Sequence, residues 1–286
     1  PGLIIYATKL HELTFIAFLA ACMFWYMVSM DPARMSTAIG VGILTGIGML
    51  SRPTLVFFLP VYGIYALVTV KGIRKIMLPL VVAGALSLVT IAPWAVRNHA
   101  IHKKWILITT NSAEHFWRGN NIHATGTSYT GDGKNMFELA PKEFVDRLFA
   151  MREIEQYDYF MKETYAFLKQ DPDFFVKMFI RKFGYFWWFS PQTGLLYPGL
   201  WTAVYKVYYA VVLILCILGL GHVIRRPTVR SVAFSSAAIT ALVLVSLLHS
   251  VYYVEMRHRW ALEPLMLIFA AYGICALLER PKKDTA

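Results

Sequence analysis

Between about Arg97 and Tyr197, some hundred residues of mixed polarity interrupt a chain that is otherwise a string of apolar segments. Four such segments precede the interruption and three follow it. This layout constrains the fold to an integral membrane protein that carries one sizeable domain outside the bilayer. Composition agrees: 57% of residues are hydrophobic and 16% charged, where a soluble domain is nearer a quarter charged.

A helix needs about 20 apolar residues to cross about 30 Å of hydrocarbon. The expected spans are Leu3 or Leu13 to Met30, Met35 to Leu50, Thr54 to Val70, Ile76 to Val96, Trp201 to Val223, Val232 to Val251 and Trp260 to Leu278. Only Ser51-Arg52-Pro53 separates the second from the third, as in a bent hairpin. The expected class is an all-α polytopic membrane protein with about seven transmembrane helices and an extracytoplasmic α-rich loop domain of about 100 residues. Residues 1–96 hold four helices, 97–200 the loop domain, 201–279 three helices and 280–286 a cytoplasmic tail. Trp201, Tyr205, Tyr208, Tyr252, Tyr253 and Trp260 cluster near span ends, as interfacial aromatics do.

Charge orients the spans. Arg34, Lys71, Arg74, Lys75, Arg225, Arg226, Arg230, Arg280, Lys282 and Lys283 fall on one side if the spans alternate. The opposite short connections hold Arg52, Arg257 and Arg259. The richer side is cytoplasmic by the positive-inside rule, so the large loop faces outward. The net charge of +11 is then topological. Nucleic acid would call for a concentrated basic face, so no nucleic-acid partner is expected. A bacterial inner (plasma) membrane is the expected location; the loop has no N-x-S/T sequon. Cys22, Cys216 and Cys275 all lie in apolar spans without ligand spacing and read as packing residues. The chain opens on Pro1 inside hydrophobic sequence, without a signal peptide's basic start, and reads as one whose true N-terminus lies upstream.

Within the loop, Gly126-Thr127-Ser128 and Thr130-Gly131-Asp132-Gly133 are turn signals. A helical pattern runs from Pro141 to about Gln170. Asp171-Pro172 then reads as an N-cap followed by proline at the first helical position. The helix it starts carries Phe174, Phe175, Met178, Phe179, Phe183 and Phe186 as an apolar stripe, with Lys177, Arg181 and Lys182 opposite. It reads as an amphipathic helix lying on the outer membrane surface, with core packing inside the loop domain as the other reading.

Polar groups cluster at four places. Arg97-Asn98 follows Pro93-Trp94 at the outer end of the fourth span, where an arginine either snorkels or binds a phosphate. Asn120-Asn121 suits sugar hydrogen bonding and also turn formation. Glu255-Met256-Arg257-His258-Arg259 is the most charged outer connection. His11-Glu12 lies in or beside the first span, where a carboxylate is a functional candidate. His99, His102, His115 and His123 lack metal-ligand spacing and read as surface or structural.

The order of these motifs carries more than any one of them. It runs Leu50-Ser51-Arg52-Pro53, Pro93-Trp94 with Arg97-Asn98, and Gly119-Asn120-Asn121 with Ala124-Thr125-Gly126. Arg257-His258-Arg259, Leu262-Glu263-Pro264-Leu265 and Ala270-Ala271-Tyr272-Gly273 follow. The series resembles the GT-C membrane glycosyltransferases of the protein mannosyltransferase and aminoarabinose transferase type, over nearly the whole chain. Met151 to Gly184 is similar to the helical end of that family's outer loop.

The resemblance implies transfer of a sugar from a polyprenyl-phosphate donor to a lipid, glycan or protein acceptor outside the cytoplasm. The leaving group is a phosphate monoester, whose growing charge arginine stabilises. Arg257, at headgroup depth with Arg97 and Arg259, is expected to hold the donor phosphate. Glu12, Asn98, Asn120, Asn121 and Glu255 are the expected substrate-binding residues, and no cofactor is expected. The family's base is an acidic residue in the first outer loop. No such loop is found here, so the base is expected upstream of residue 1 and the chain alone is expected to be inactive. His258 stands where the family more often has Tyr. The competing classes are a lipid-linked-sugar transporter, which needs more polar residues inside the spans, and a non-catalytic binding protein.

Overall fold

The computed structural model of the chain describes residues 13–139, 141–192 and 199–278. Glu12 and the tail 280–286 lie outside the described residues. The structure is 79% helical and has no strand among the described residues, so the all-α class holds.

The apolar part consists of α1 (Leu13–Ser29), α2 (Met35–Ser51), α3 (Phe58–Thr69), α4 (Arg74–His102), α10 (Gly199–Arg225), α11 (Val229–Val251) and α12 (Glu263–Leu278). Between α4 and α10 lie α5 (Asn111–Gly119), the single turn α6 (Met136–Leu139), α7 (Lys142–Ala150), α8 (Glu153–Gln170) and α9 (Pro172–Trp187). Three helices, α4, α10 and α11, are long and apolar enough to cross a membrane; α1, α2, Pro53–Thr69 and α12 are shorter apolar helices. Large apolar side chains face inward and outward alike. Phe24, Phe58, Tyr62 and Phe269 are buried, while Phe18, Trp25, Val81, Val207 and Ile217 are exposed. A water-soluble bundle would cover its apolar surface, so the exposed residues fit apolar surroundings.

Proline sets the key helix ends. Pro53 pushes Arg52 out of the helical region to φ −152°, ψ 116°, ending α2. A 3-10 turn, Pro53–Phe57, then leads into α3. Helix α4 tolerates Pro79 and Pro93 and runs six residues past the expected end at Val96. At 1.5 Å per residue its 29 residues span about 43 Å, more than the hydrocarbon thickness. Arg97 and Asn98 therefore sit on a helix. Lys103, left-handed at φ 55°, closes it.

Close contacts between small residues hold the bundle. Helix α10 packs most extensively on α12, and α2 on α4. A Cβ added at Gly219 would overlap the Phe269 carbonyl oxygen, and one at Gly273 the Leu215 carbonyl. Glycine is what lets these two backbones touch.

The long helical pattern expected from Pro141 to Gln170 is two helices. Arg152 is extended, and its N–H donates to Glu155 Oε2 at 3.0 Å, capping a new start. Helix α9 begins as expected: Asp171 accepts from the Phe174 N–H at 3.1 Å, and Pro172 opens the helix. Its buried line is Met178, Lys182 and Phe186, which rests against α11. Lys182 is thus on the packed face, a correction to its expected place opposite the apolar stripe.

A cationic cleft between the bundle and the loop helices

The ends of several apolar helices meet the loop helices around an open cleft of about 440 Å³. Its walls come from Leu50 to Thr54 at the α2–α3 break, Trp94 on α4, Ile108 and Thr109 before α5, and Asn111, Ser112 and His115 on α5. His249, Tyr252, Tyr253 and His258 close the far side. The bundle contributes positions near the C-termini of α2, α4 and α11, at the start of α3 and just before α12, and the loop region contributes the approach to α5 and its first turns. Arg34, Lys71 and Arg74, and Arg225, Arg226 and Arg230 lie at the opposite helix ends.

The loop helices are seated on the bundle by polar contacts. Gly119 at the end of α5 lies so close to the Tyr252 carbonyl that an added Cβ would overlap it. Asn120 donates to Val251 O at 2.8 Å. Lys182 Nζ donates to Asn120 Oδ1 at 2.9 Å and to Tyr252 O at 2.8 Å. These bonds satisfy carbonyls left free where α11 ends. On the other side, Asn98 donates to Ile106 O at 3.0 Å and to Ile108 O at 3.2 Å, while the Trp94 indole donates to Ile108 O at 2.8 Å. Asn121 donates to Trp117 O at 2.9 Å and accepts from the His123 N–H at 2.8 Å. The amides of Asn98, Asn120 and Asn121, expected at a substrate, are thus committed to holding backbone.

The electrostatics of the cleft favour an anion. Burial lowers the pKa of His115 most; Glu114 opposes this, while Arg118, Arg52 and Arg257 add to it. Burial also holds His258 well below the usual histidine range, assisted by His249, Arg52, Arg257 and His115. Burial raises the Tyr253 hydroxyl, with Glu255 adding to it and Arg257, Arg118 and Arg52 opposing. Arg52 and Arg257 therefore act on the same groups from two separate connections. Neutral imidazoles add no further positive charge beside the two guanidinium groups. Glu255 is the local counterweight: it pairs with Arg257 at 2.9 Å and accepts from Ser128.

The rings are in contact. His249 and His258 centroids are 4.3 Å apart, Tyr253 and His258 5.5 Å, and His115 meets Tyr253 edge-on at 5.4 Å. Two hydrogen bonds assign tautomers. The Glu255 N–H donates to His258 Nδ1 at 3.2 Å, so the neutral His258 ring carries its hydrogen on Nε2. His249 Nδ1 lies 2.9 Å from the Val245 carbonyl, which only accepts, so the hydrogen is on Nδ1.

Of the arginines expected at a phosphate, two adjoin the cleft and one does not. Arg97 is exposed on α4 with its guanidinium 4.7 Å from the ring of Trp94, a cleft wall residue. Arg257 belongs to the same 3-10 turn as the lining residue His258, and its charge helps lower the pKa of His115 and His258. Arg259 turns toward α10 and is 2% exposed. Its guanidinium lies 3.8 Å from the Tyr209 ring centroid and 4.7 Å from that of Phe189, and Nη1 donates to Phe186 O at 3.1 Å. Among the described residues Nε and Nη2 have no hydrogen-bond acceptor, and aromatic faces stand in for one. Beside it, Trp260 donates to the Tyr205 hydroxyl at 2.6 Å, which donates to Glu263.

Arg52, His115, His249 and His258 are among the cleft residues missing from the expected site. Arg52 had a readable signal, as an arginine before proline at the end of an apolar segment. His249 had none, since one histidine in an apolar run is more often a packed residue. Among the described residues no group of three or more His, Cys, Asp or Glu is arranged to hold a metal ion. No protein-family model, curated protein or solved structure matches this chain.

Proposed function

We propose that the chain serves a membrane glycosyltransferase that moves a sugar from a polyprenyl-phosphate donor to an acceptor outside the cytoplasm. In this reading all seven apolar helices are spans, the region between α4 and α10 is an extracytoplasmic loop domain, and the cleft lies at the outer membrane edge. The alternation of helix ends around the cleft, with basic residues at the other ends, supports that topology.

One observation carries the reading. On α2, Ile39, Ile43, Ile47 and Leu50 form an exposed apolar line at helical spacing that ends at Arg52 and the cleft. A polyprenyl phosphate has this form: a long apolar tail ending in a compact anion. Arg52 and Arg257 then hold the phosphate and stabilise its charge as it leaves, with Arg97 at the rim. Such a role needs charge that is already in place and little reorganised during reaction. Cleft residues anchored on helix ends meet that need.

The test uses the purified chain in lipid nanodiscs with a fluorescent short-chain polyprenyl phosphate as probe. The parent should bind it. Arg52→Ala and Arg257→Ala should each weaken binding at least tenfold and, where turnover is measured, slow it about a hundredfold, or on the order of 3 kcal/mol. Arg257→Lys should recover only part, because a point charge lacks the two-pronged guanidinium geometry. A parent that does not bind the probe, or alanine variants that bind like the parent, would overturn the reading.

A further inference from the structure

We infer that α9 lies in the membrane interface on the side of the loop helices, and that its Lys177 and Arg181 hold the headgroups of anionic lipids. This goes beyond the reading of the cleft and rests only on α10 and α11 being spans.

At 3.6 residues per turn α9 divides into three faces. The first packs: Met178, Lys182 and Phe186 are buried, and the helix rests against α11. The second is apolar and turns outward. Val176, Phe179, Ile180, Phe183 and Trp187 recur along it at three- and four-residue spacing. Val176 and Ile180 are 57% and 66% exposed, while the three rings are partly buried. The third face carries Lys177 and Arg181, one turn apart and both exposed. Lys177 stands three residues before Ile180 and so beside it on the helix surface. Neither cation has an ion-pair partner among the described residues. The carboxylates of α9 stand apart, Asp171 capping it and Asp173 in its first turn. A surface helix of a globular domain turns one apolar stripe inward and polar residues outward. Helix α9 keeps a second apolar line uncovered, with charge of one sign along its edge.

Contacts with the bundle set its depth. Lys182 reaches the carbonyls of Val251 and Tyr252, where α11 ends. Further along, the rings of Trp188 and Phe189 meet Tyr209, and Phe189 also meets Tyr205. Those tyrosines stand about 9 and 15 Å from the start of α10 at Gly199, at 1.5 Å per residue. The 27 residues of α10 span about 40 Å, some 10 Å more than the hydrocarbon layer. A span centred in that layer enters it about 5 Å from each end, so the C-terminal end of α9 rests at its edge. Exposed apolar side chains of α10 begin at the same level, with Leu200, Trp201, Val204 and Val207. Trp187, Trp188 and Trp201 gather there, as interfacial tryptophans do.

A helix so placed lays its apolar line into the acyl boundary and its cations among the phosphates, their stems covered and their heads free. The occupant that matches both is a lipid surface with negative headgroups, which offers an apolar layer and acidic groups in one plane. A free anion would meet the charges and leave the apolar line uncovered.

The experiment uses the full chain without Cys22, Cys216 and Cys275, in lipid nanodiscs, with bimane attached at Ile180→Cys or Val176→Cys. Nitroxide placed just below the lipid headgroup should remove about half or more of the bimane emission at both positions. Energy transfer from the bimane should be stronger to acceptor-labelled phosphatidylglycerol than to acceptor-labelled phosphatidylcholine. Lys177→Gln and Arg181→Gln should each reduce that preference about fivefold, and high salt should weaken it by screening. Melting temperatures of the glutamine variants should match the parent, because both residues are exposed. Bimane that nitroxide lipids do not quench, or equal transfer to the two lipids, would overturn the proposal. So would a disulfide between two copies at Ile180→Cys, which would make this face an interface between chains. None of these residues lines the cleft, so each result leaves the test of polyprenyl-phosphate binding unaffected.

Discussion

Lys182 is the residue whose placement decides most about how the loop helices are held. Its side chain is fully buried, yet its ammonium group reaches Asn120 Oδ1 and the carbonyls of Val251 and Tyr252. Burial brings its pKa from 10.5 down to about 7. The folded value lies below the unfolded one, so the unfolded chain binds more protons between those two pH values. Stability contributed at this site is therefore complete above about pH 10.5, falls as pH drops toward 7, and is level below that. Between pH 7 and pH 9 the parent should gain about 1.4 kcal/mol per pH unit relative to Lys182→Met. Thermal unfolding of both proteins across that range is the check, and parallel curves would refute the depressed pKa. The stripe pattern of α9 puts Lys182 on a polar face when read by residue type. Only the carbonyls at the end of α11 make burial of an amine at this position affordable.

Helices show the same division between local and tertiary causes. The start of α9 was legible because an N-cap and a first-turn proline act within one turn. The break between α7 and α8 was not, because both sides continue one apolar period and a single capping contact at Arg152 divides them. The overrun of α4 past Val96 was hidden for a similar reason. Hydropathy drops at Arg97, but helix formation depends on backbone hydrogen bonds, which continue to His102. The α10–α12 contact gives a direct test. Gly219→Ala inserts a methyl group where the Phe269 carbonyl oxygen already sits. The helices must separate, with an expected loss of about 1–3 kcal/mol. Gly221→Ala, on the same helix with nothing near its added Cβ, should leave stability unchanged or raise it. Melting temperatures of the two variants in detergent should differ in that order, and equal values would refute the close approach.

At the scale of the whole molecule the question is which ends of the helices share a side. The cleft gathers one set of ends, and the arginine- and lysine-rich turns lie at the other. In a background without Cys22, Cys216 and Cys275, single cysteines at Asp132 and at Arg226 should label from opposite faces of sealed vesicles. Asp132 should react with an impermeant maleimide from outside the cell and Arg226 only after the membrane is opened. Both positions are exposed in the fold, so failure to label would not come from burial. Labelling from the same face would refute the alternating arrangement and the outward-facing cleft with it.

Hydrophobic patterning by itself determined that the chain is helical and apolar in two blocks, roughly where each apolar helix lies, and that a polar region separates the blocks. These are local matters of side-chain transfer and backbone hydrogen bonding, written residue by residue. Of the residues in the clusters at span ends, Arg97 lies beside the cleft wall residue Trp94, and Arg257 shares a 3-10 turn with the lining residue His258. Which polar groups face the cleft was decided by tertiary structure. Arg257 and Arg259 are two positions apart on one 3-10 turn, so they leave it in different directions. One pairs with Glu255, the other lies over the rings of Tyr209 and Phe189. Arg52 and His249 come from connections nearly two hundred residues apart, and no local rule relates them. They line one cleft because α3 packs on α11, a contact set by the shapes of two helices and by no motif in either.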